Sequence, residues 1–212
     1  MSPTLPPDDH DPLRWSAVDP GGGPRRGRGV LRGALLFYGA MVLLALLALP
    51  RVHEDLGLGL SSWGKLLLGT RPGAAIGLGF AVGLLLVAIT RLIESWPPIR
   101  SMIDGFGEVL GSLPRGGPLL LALTSGIAEE LLFRGVLQVW WGLWPAAIAF
   151  GACHLPIDRR FLVWPLFALG AGLLFGVAYE RSGALLTPVV AHVTVNWINL
   201  RSIVRTVPGE PR

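Results

Sequence analysis

The chain has 212 residues, of which 51% are hydrophobic and 15% are charged, and its formal net charge is +4. This composition is far more apolar than that of an average soluble domain, so it indicates an integral membrane protein that contacts lipids. Basic residues are not interleaved with aromatic ones, so nucleic acid is not a predicted partner, and the basic excess is interpreted as membrane topology. The single cysteine, Cys153, excludes an intrachain disulfide.

Residues 1–32 are rich in proline, glycine and arginine and poor in apolar side chains. Such a segment cannot bury a core, so we predict a disordered cytoplasmic tail. Six apolar windows follow between residues 33 and 200, and they predict an all-α, polytopic bundle of about six transmembrane helices. Residues 201–212 are predicted to form a second cytoplasmic tail. The windows are 33–50, 73–93, 118–139, 142–153, 161–179 and 184–200.

The distribution of lysine and arginine predicts how the bundle is oriented. Thirteen of these residues fall on the side of the two termini, and four fall on the opposite side. Because short basic loops stay in the cytoplasm, we predict a multi-pass protein of the inner or plasma membrane with both termini cytoplasmic.

An amphipathic segment separates the second and third windows. Its apolar side chains recur at helical spacing, whereas Arg100, Asp104 and Glu108 occupy the other side. This pattern predicts a helix that lies in the plane of the membrane interface. The apolar positions are Ile99, Met102, Ile103, Phe106, Leu110 and Leu113.

Three ionisable residues, Glu129, Glu130 and Arg134, lie inside the third window. An ionised group at bilayer depth costs at least ~2.5–3.5 kcal/mol, so such residues are expected to be paired and functional. Glu130 and Arg134 are four residues apart on one helix face, and we predict that they form a buried ion pair. Thr124, Ser125 or loop carbonyls are expected to supply the further hydrogen bonds that a buried pair needs. Glu129 points elsewhere and is a candidate general base.

Polar side chains in two further windows are candidates to meet Glu129. His154 ends the fourth window, and His192 and Asn196 share one face of the sixth. A carboxylate and an imidazole can hold a water and remove its proton, while a second imidazole and a carboxamide can donate hydrogen bonds to the resulting oxyanion. This inventory predicts hydrolysis of an amide or ester. A zinc site formed by His154, His192 and Glu129 is the alternative, and residue spacing does not decide between the two.

Three motifs, in this order along the chain, resemble those of the CPBP family of intramembrane proteases, which includes the type II CAAX prenyl endopeptidases and the bacterial Abi-type proteins. The motifs are Glu-Glu-xxx-Arg, Phe-xxx-His and His-xxx-Asn, and the resemblance covers residues 118–200, the predicted catalytic core. The residues that carry them are Glu129, Glu130, Arg134, Phe150, His154, His192 and Asn196.

The resemblance implies an intramembrane endopeptidase in which Glu129 activates a water together with His154. His192 and Asn196 would bind the oxyanion. Members of the family have often been called metalloproteases, but the resemblance favours a reaction without a metal or other cofactor. If zinc takes part, it is held by the histidines and Glu129. The supporting residues are Glu130, Arg134 and Phe150.

The composition, rich in glycine, proline and arginine, is typical of a bacterial protein, and bacteria generally lack prenylated CAAX proteins. We therefore expect the endopeptidase activity of the family, but with a different substrate, which is a peptide or a membrane-tethered protein. The alternative function is that of a non-catalytic immunity or scaffold protein of the Abi type. A proton-coupled transporter is a third class, which the complete motif set and the lack of recognisable inverted halves disfavour.

Overall fold

The computed structural model describes residues 24–55 and 63–205, which are helical apart from short turns and contain no strand. The predicted all-α class is therefore confirmed. Proline occupies the first or second position of α3, α4, α5 and α8, where its missing N–H would be unpaired in any case. The elements are α1 (Pro24–Asp55), α2 (Trp63–Leu68), α3 (Pro72–Ile93), α4 (Pro97–Leu110), α5 (Gly117–Leu132), a π-helical turn (Phe133–Leu137), α6 (Gln138–Trp141), α7 (Leu143–Ala152), a 3₁₀ turn (Arg159–Phe161), α8 (Trp164–Ser182) and α9 (Leu186–Arg205).

Three helical segments of the described chain are long and apolar enough to cross a membrane, namely Arg26–Val52, Pro72–Ile93 and Arg159–Ser182. They correspond to the first, second and fifth predicted windows. The third window falls on α5, the π-helical turn and α6, the fourth falls on α7, and the sixth falls on α9. Of these, α5 has 16 residues and α7 has 10, and α9 contains several polar side chains. The count of about six spans stays a prediction for these three helices.

The helix ends differ from the predicted domain boundaries. Helix α1 begins at Pro24, nine residues before the first window, and its Gly27 packs closely against the carbonyl of Ser112. Helix α9 continues to Arg205, beyond the predicted boundary at residue 200. The remaining parts of the two predicted tails, residues 1–23 and 206–212, lie outside the described residues.

The third window is not one continuous helix. It is divided into α5, the π-helical turn and α6, so that Arg134 lies in the wider turn. π-Helical turns inside α-helices are frequent at functional sites. Periodicity alone gave no signal for this interruption.

Helix α9 packs against α3, α5 and α8, which brings the polar face of α9 close to the acids of α5. Small residues permit the close approach to α3. A Cβ added to Gly79 would lie 2.6 Å from the carbonyl oxygen of Thr187, and one added to Gly83 would lie 2.7 Å from that of Ala191. Phe175 of α8 belongs to an apolar cluster with Leu86 of α3 and Ala191 of α9, and this cluster holds α8 against both helices. The polar residues of the motifs therefore meet between α5, α7, α8 and α9.

Helix α4 confirms the predicted amphipathic helix, with Ile99 and Met102 buried. It packs against the turn before α8, where the ring of Phe106 lies 4.8 Å from that of Phe161. Arg160 joins the two elements through an ion pair of 2.8 Å to Glu108, and within the turn it also pairs with Asp158 at 2.9 Å. Hydrogen bonds from Arg160 also lower the pKa of Asp158 below its usual range.

Candidate active site

The two adjacent acids of α5 are both buried, but they have different partners. Glu130 is 0% exposed, and its Oε1 accepts hydrogen bonds from Arg134 Nη1 at 2.9 Å and from His192 Nδ1 at 2.8 Å. The predicted ion pair of Glu130 with Arg134 is thus present. The contact with His192 was not predicted, since no sequence pattern connects α5 to α9. Glu130 therefore fixes both a cation of its own helix and an imidazole of another.

Arg134 is 1% exposed and is held on several sides. Its Nη2 donates to the carbonyl of Gly172 at 2.8 Å, and its guanidinium lies 4.7 Å from the ring centre of Phe150 and 5.5 Å from that of Phe175. The extra hydrogen bond comes from a helix carbonyl of α8 rather than from Thr124, Ser125 or a loop as expected. A Cβ on Gly172 would lie 3.4 Å from Arg134 Nη2, so the small residue makes room for this contact.

His154 lies just beyond the end of α7, and its ring orientation follows from its contact with the backbone. Nδ1 lies 2.7 Å from the carbonyl oxygen of Phe150, which can only accept, so Nδ1 carries the proton. In the neutral ring Nε2 is then an acceptor. This Nε2 lies 3.9 Å from Glu129 Oε2.

His192 is fixed in the same way by Glu130, whose carboxylate accepts from Nδ1. Its Nε2 lies 4.0 Å from the same Glu129 Oε2, and its ring stacks on Phe175 at 5.0 Å. Glu129 Oε2 is buried and has no hydrogen-bond partner in the structure. Two oriented imidazoles therefore converge on one unpartnered carboxylate oxygen.

Asn196 lies one turn further along α9 and reaches the site indirectly. Its Nδ2 donates to Ser125 Oγ at 3.0 Å, and Ser125 is one turn before Glu129 on α5. Phe150, which is 2% exposed, packs between the polar groups, with its ring centre 4.8 Å from that of His154 and 5.9 Å from that of His192. The structure thus brings all seven predicted site residues into one region.

A cavity of about 1040 Å³ adjoins this region and is lined by α1, α3, α4, α5, α8 and α9. Ser125 and Asn196 form part of its wall, as does Trp164, whose ring lies 4.9 Å from that of His154. Glu129 and the two histidines do not line the cavity. The cavity therefore borders the polar centre at Ser125, Asn196 and Trp164.

Residues 114–198 match the family model described as type II CAAX prenyl endopeptidase Rce1-like. This segment is Rce1-like. The predicted resemblance to the family is confirmed, and the match covers the helices that carry Glu129, His154 and His192. The matched family is a family of endopeptidases.

A relative from Bacillus subtilis (strain 168) is the uncharacterized protein YpbD, which is 32% identical over 122 residues. The alignment covers 56% of this chain and 63% of that protein, so the chain spans about three fifths of the relative's length. No solved structure matches the chain significantly.

Gln138 was missed by sequence reasoning although a signal existed. It lies four residues after Arg134 within an apolar stretch, which places both side chains toward α8. Its Nε2 donates to the carbonyl of Gly176 at 3.1 Å and to Glu180 at 3.1 Å. Gln138 thus adds a second set of buried hydrogen bonds to α8, one turn beyond that of Arg134.

Tyr38 was also missed, and it belongs to α1, outside the Rce1-like segment. Its hydroxyl interacts with the carboxylate of Glu129 and with the hydroxyl of Ser125, and the residue lines the cavity. No motif includes it, because the contact depends on how α1 packs against α5.

The side chains around Glu129 also bear on the zinc alternative. Imidazole nitrogen and carboxylate oxygen are donors that zinc accepts, so His154, His192 and Glu129 have the right chemistry. Within residues 24–55 and 63–205, no three side chains of His, Cys, Asp or Glu are arranged as a metal site. The choice between a metal-free and a zinc-dependent reaction stays a prediction.

Proposed function

We propose that this chain is a multi-pass intramembrane endopeptidase in which Glu129 activates the attacking water. The observation that carries the proposal is the convergence of His154 Nε2 and His192 Nε2, at 3.9 and 4.0 Å, on the unpartnered Oε2 of Glu129. A buried carboxylate oxygen without a hydrogen-bond partner is costly for stability alone. Its placement beside two oriented imidazoles and a large cavity supports a catalytic use.

In the proposed reaction a water lies between Glu129 Oε2 and His154 Nε2. A separation of 3.9 Å between these atoms allows one water to contact both. Glu129 removes a proton as the water oxygen attacks the carbonyl carbon of the substrate. The C–N bond then breaks, and the same proton passes to the leaving nitrogen, so that one water is consumed for each peptide bond.

The carbonyl oxygen gains negative charge during the attack and needs hydrogen-bond donors. We propose that Asn196 and His192 supply them. The carboxamide of Asn196 has two N–H bonds, and one of them remains for the substrate after the bond to Ser125. His192 donates from Nε2 when both of its ring nitrogens are protonated, because Nδ1 is already committed to Glu130.

The cavity supports a substrate with a long apolar portion. Its volume of about 1040 Å³ is large enough for several side chains or a lipid-like anchor. Apolar residues such as Met102, Leu121 and Phe167 line it, and charged residues of α3 and α4 also contribute. We propose a peptide or membrane-tethered protein whose cleavage site lies beside such an apolar segment.

The proposed reaction needs no metal, and the zinc alternative is tested by chelation. If zinc takes part, Glu129, His154 and His192 hold it, and the ion supplies a water of lowered pKa. Metal-free protein is expected to retain full activity. Complete loss of activity on chelation, with recovery on adding zinc, would support the alternative.

The experiment that tests the proposed function is cleavage of a panel of membrane-tethered peptides by purified protein in liposomes. Wild-type protein is expected to cleave at least one peptide, whereas Glu129→Gln is expected to be slower by about 10²–10⁴-fold, the usual contribution of a general base. Glu54→Gln is the matched control, because Glu54 is exposed on α1 and lies outside the cavity and the site. Equal cleavage by wild type and Glu129→Gln would refute the mechanism.

The proposed membrane topology is tested separately, with reporter fusions. We propose that both termini face the cytoplasm, as the distribution of basic residues predicts. A reporter fused after Arg212 is expected to be active only if it is of the cytoplasmic type. A reporter inserted between α1 and α3 is expected to show the opposite behaviour.

A further inference from the structure

We infer that Tyr38 is a positioning residue for Glu129, so that α1 completes the active site from outside the Rce1-like segment. The inference rests on the proposed function for its kinetic consequence. Its structural content, a contact between the Tyr38 hydroxyl and the Glu129 carboxylate, can be tested without any enzymatic activity.

The position of Tyr38 is set by a stripe of side chains along one face of α1. Met41 packs on the cluster formed by Phe133 and Phe150, while Ala45 and Leu49 pack on Val136. Tyr38 precedes Met41 by three residues and therefore lies on the same face. The apolar stripe aligns α1 along α5 and the π-helical turn, and this alignment places the phenol beside Glu129.

On the other side of Tyr38, the same helix borders the cavity. Val30 and Ala34, eight and four residues before Tyr38, both line it. Tyr38 therefore marks the point where α1 passes from the cavity wall into the packed core. A phenol at this point has its hydroxyl at the boundary between the cavity and the carboxylate.

The hydrogen-bonding chemistry around the phenol favours a positioning role. The O–H of Tyr38 is a donor, and the carboxylate of Glu129 can only accept when ionised. Ser125 interacts with the same phenol and accepts from Asn196 at 3.0 Å. A continuous polar row therefore runs from Asn196 through Ser125 and Tyr38 to Glu129, and it joins the proposed oxyanion donor to the proposed base.

The consequence for Glu129 is a fixed carboxylate orientation. With Tyr38 bound from the side of α1, Oε2 remains directed toward His154 and His192 and has no other partner. Without the phenol hydroxyl the carboxylate can rotate away from the position in which it holds the water. Proton removal would then slow, while the substrate would still bind in the cavity.

The first test is spectroscopic and uses the two tyrosines of the chain. Protein labelled with 3-fluorotyrosine is expected to give two ¹⁹F resonances, which Tyr179→Phe assigns. Glu129→Gln is expected to shift the resonance of Tyr38 and to leave that of Tyr179 in place. Glu94→Gln, which alters another acid of the cavity wall, is expected to shift neither. A Tyr38 resonance that does not respond to Glu129→Gln would overturn the inference.

The second test is kinetic and uses Tyr38→Phe, which keeps the ring and removes only the hydroxyl. We expect kcat to fall by roughly 10–100-fold, as is usual for groups that orient a reacting side chain, with KM unchanged. Tyr179→Phe is the matched control and is expected to keep both constants. An unchanged kcat, or a raised KM with an unchanged kcat, would overturn the positioning role.

The two tests keep the inference separate from the proposed function. If wild-type protein cleaves nothing, the proposed function fails, and the ¹⁹F measurement still decides whether Tyr38 contacts Glu129. If wild-type protein cleaves and Tyr38→Phe matches it, the inference alone fails.

Discussion

The two neighbouring acids of α5 divide the site into a closed side and an open side. The closed side consists of Glu130, Arg134 and Gly172, where each charged group has at least one partner of opposite charge or a carbonyl within 2.9 Å, although Oε2 of Glu130 and Nε of Arg134 make no hydrogen bond. The open side consists of Glu129, His154 and Asn196. There Oε2 of Glu129 has no hydrogen bond, and its separation from the nearest imidazole nitrogen is 3.9 Å.

The comparison shows why two adjacent glutamates, Glu129 and Glu130, have different surroundings. Successive helix positions are about 100° apart, so Glu130 points to Arg134 and α8 while Glu129 points to α7 and the cavity side. Oε1 of Glu130 binds both Arg134 and His192, whereas its Oε2 has no hydrogen-bond partner. Oε2 of Glu129 also has no hydrogen bond, but it faces Nε2 of both His154 and His192, and this position is the one that a water-activating base requires.

The closed side can be broken by Glu130→Gln, which keeps an acceptor and removes the charge. We expect a loss of about 3–5 kcal/mol in stability, because Arg134 is left as a buried cation without a counter-ion. Thermal unfolding in detergent measures it. Glu129→Gln is the matched control and is expected to unfold near the wild-type temperature.

A double variant tests whether the stranded charge of Arg134 causes this loss of stability. Glu130→Gln combined with Arg134→Gln is expected to recover part of the lost stability, since neither charge is then stranded. If instead Glu129→Gln unfolds the protein and Glu130→Gln is stable, the closed and open sides have been assigned the wrong way round.

The open side is tested by Asn196→Ala. Removing one oxyanion donor typically lowers kcat by ~10²–10³-fold, and we expect a loss of that size with normal folding. Asn199→Ala, three residues along the same helix and lining the same cavity, is expected to stay within a few-fold of wild type. Steady-state kinetics on a cleaved peptide decide the matter, and near-wild-type turnover of Asn196→Ala would remove this residue from the oxyanion site.

The helix contact behind the closed side is tested by Gly176→Ala. The added methyl group would meet Leu143 and would lie 2.7 Å from Gln138 Oε1, so we expect a cost of about 1–3 kcal/mol from overpacking. Gly170→Ala on the same helix meets nothing within 4 Å and is expected to be neutral or slightly stabilising. Equal unfolding temperatures for the two variants would contradict the close packing.

A surface ion pair provides the smallest expected effect and a baseline for the others. Glu108 and Arg160 have side chains that are 63% and 43% exposed, so their contact is screened by water. Glu108→Gln is expected to leave the unfolding temperature nearly unchanged, and added salt should reduce any difference further. A loss of stability as large as that expected for Glu130→Gln would mean that the exposure of an ion pair does not determine how much it stabilises this protein.

Much of this site could be predicted from the sequence because it depends on local helix geometry. The pairing of Glu130 with Arg134 follows from their spacing of four residues, and so does the shared face of His192 and Asn196. The amphipathic pattern of α4 likewise predicts a helix that the structure contains. In each case one helix and its periodicity carry the information.

The remaining features depend on how separate helices pack, which periodicity does not report. The bond between Glu130 and His192 joins α5 to α9, and the contact of Tyr38 with Glu129 joins α1 to α5. The π-helical turn was missed because its residues fit an unbroken α-helix equally well in sequence. Gln138 is the exception, since its spacing from Arg134 could have revealed it.

The carbonyl of Gly172 and the imidazole of His192 have a consequence for biosynthesis. Both belong to helices that are synthesised after α5, so a nascent chain that ends after α7 contains Glu130 and Arg134 but not these partners. Chains grow from the N-terminus, and a charged pair with missing hydrogen bonds is costly in hydrocarbon. If α5 lies in the membrane, as the sequence predicts, its stable insertion is expected to require α8 and α9, and a chain that ends after α7 is expected to insert less stably.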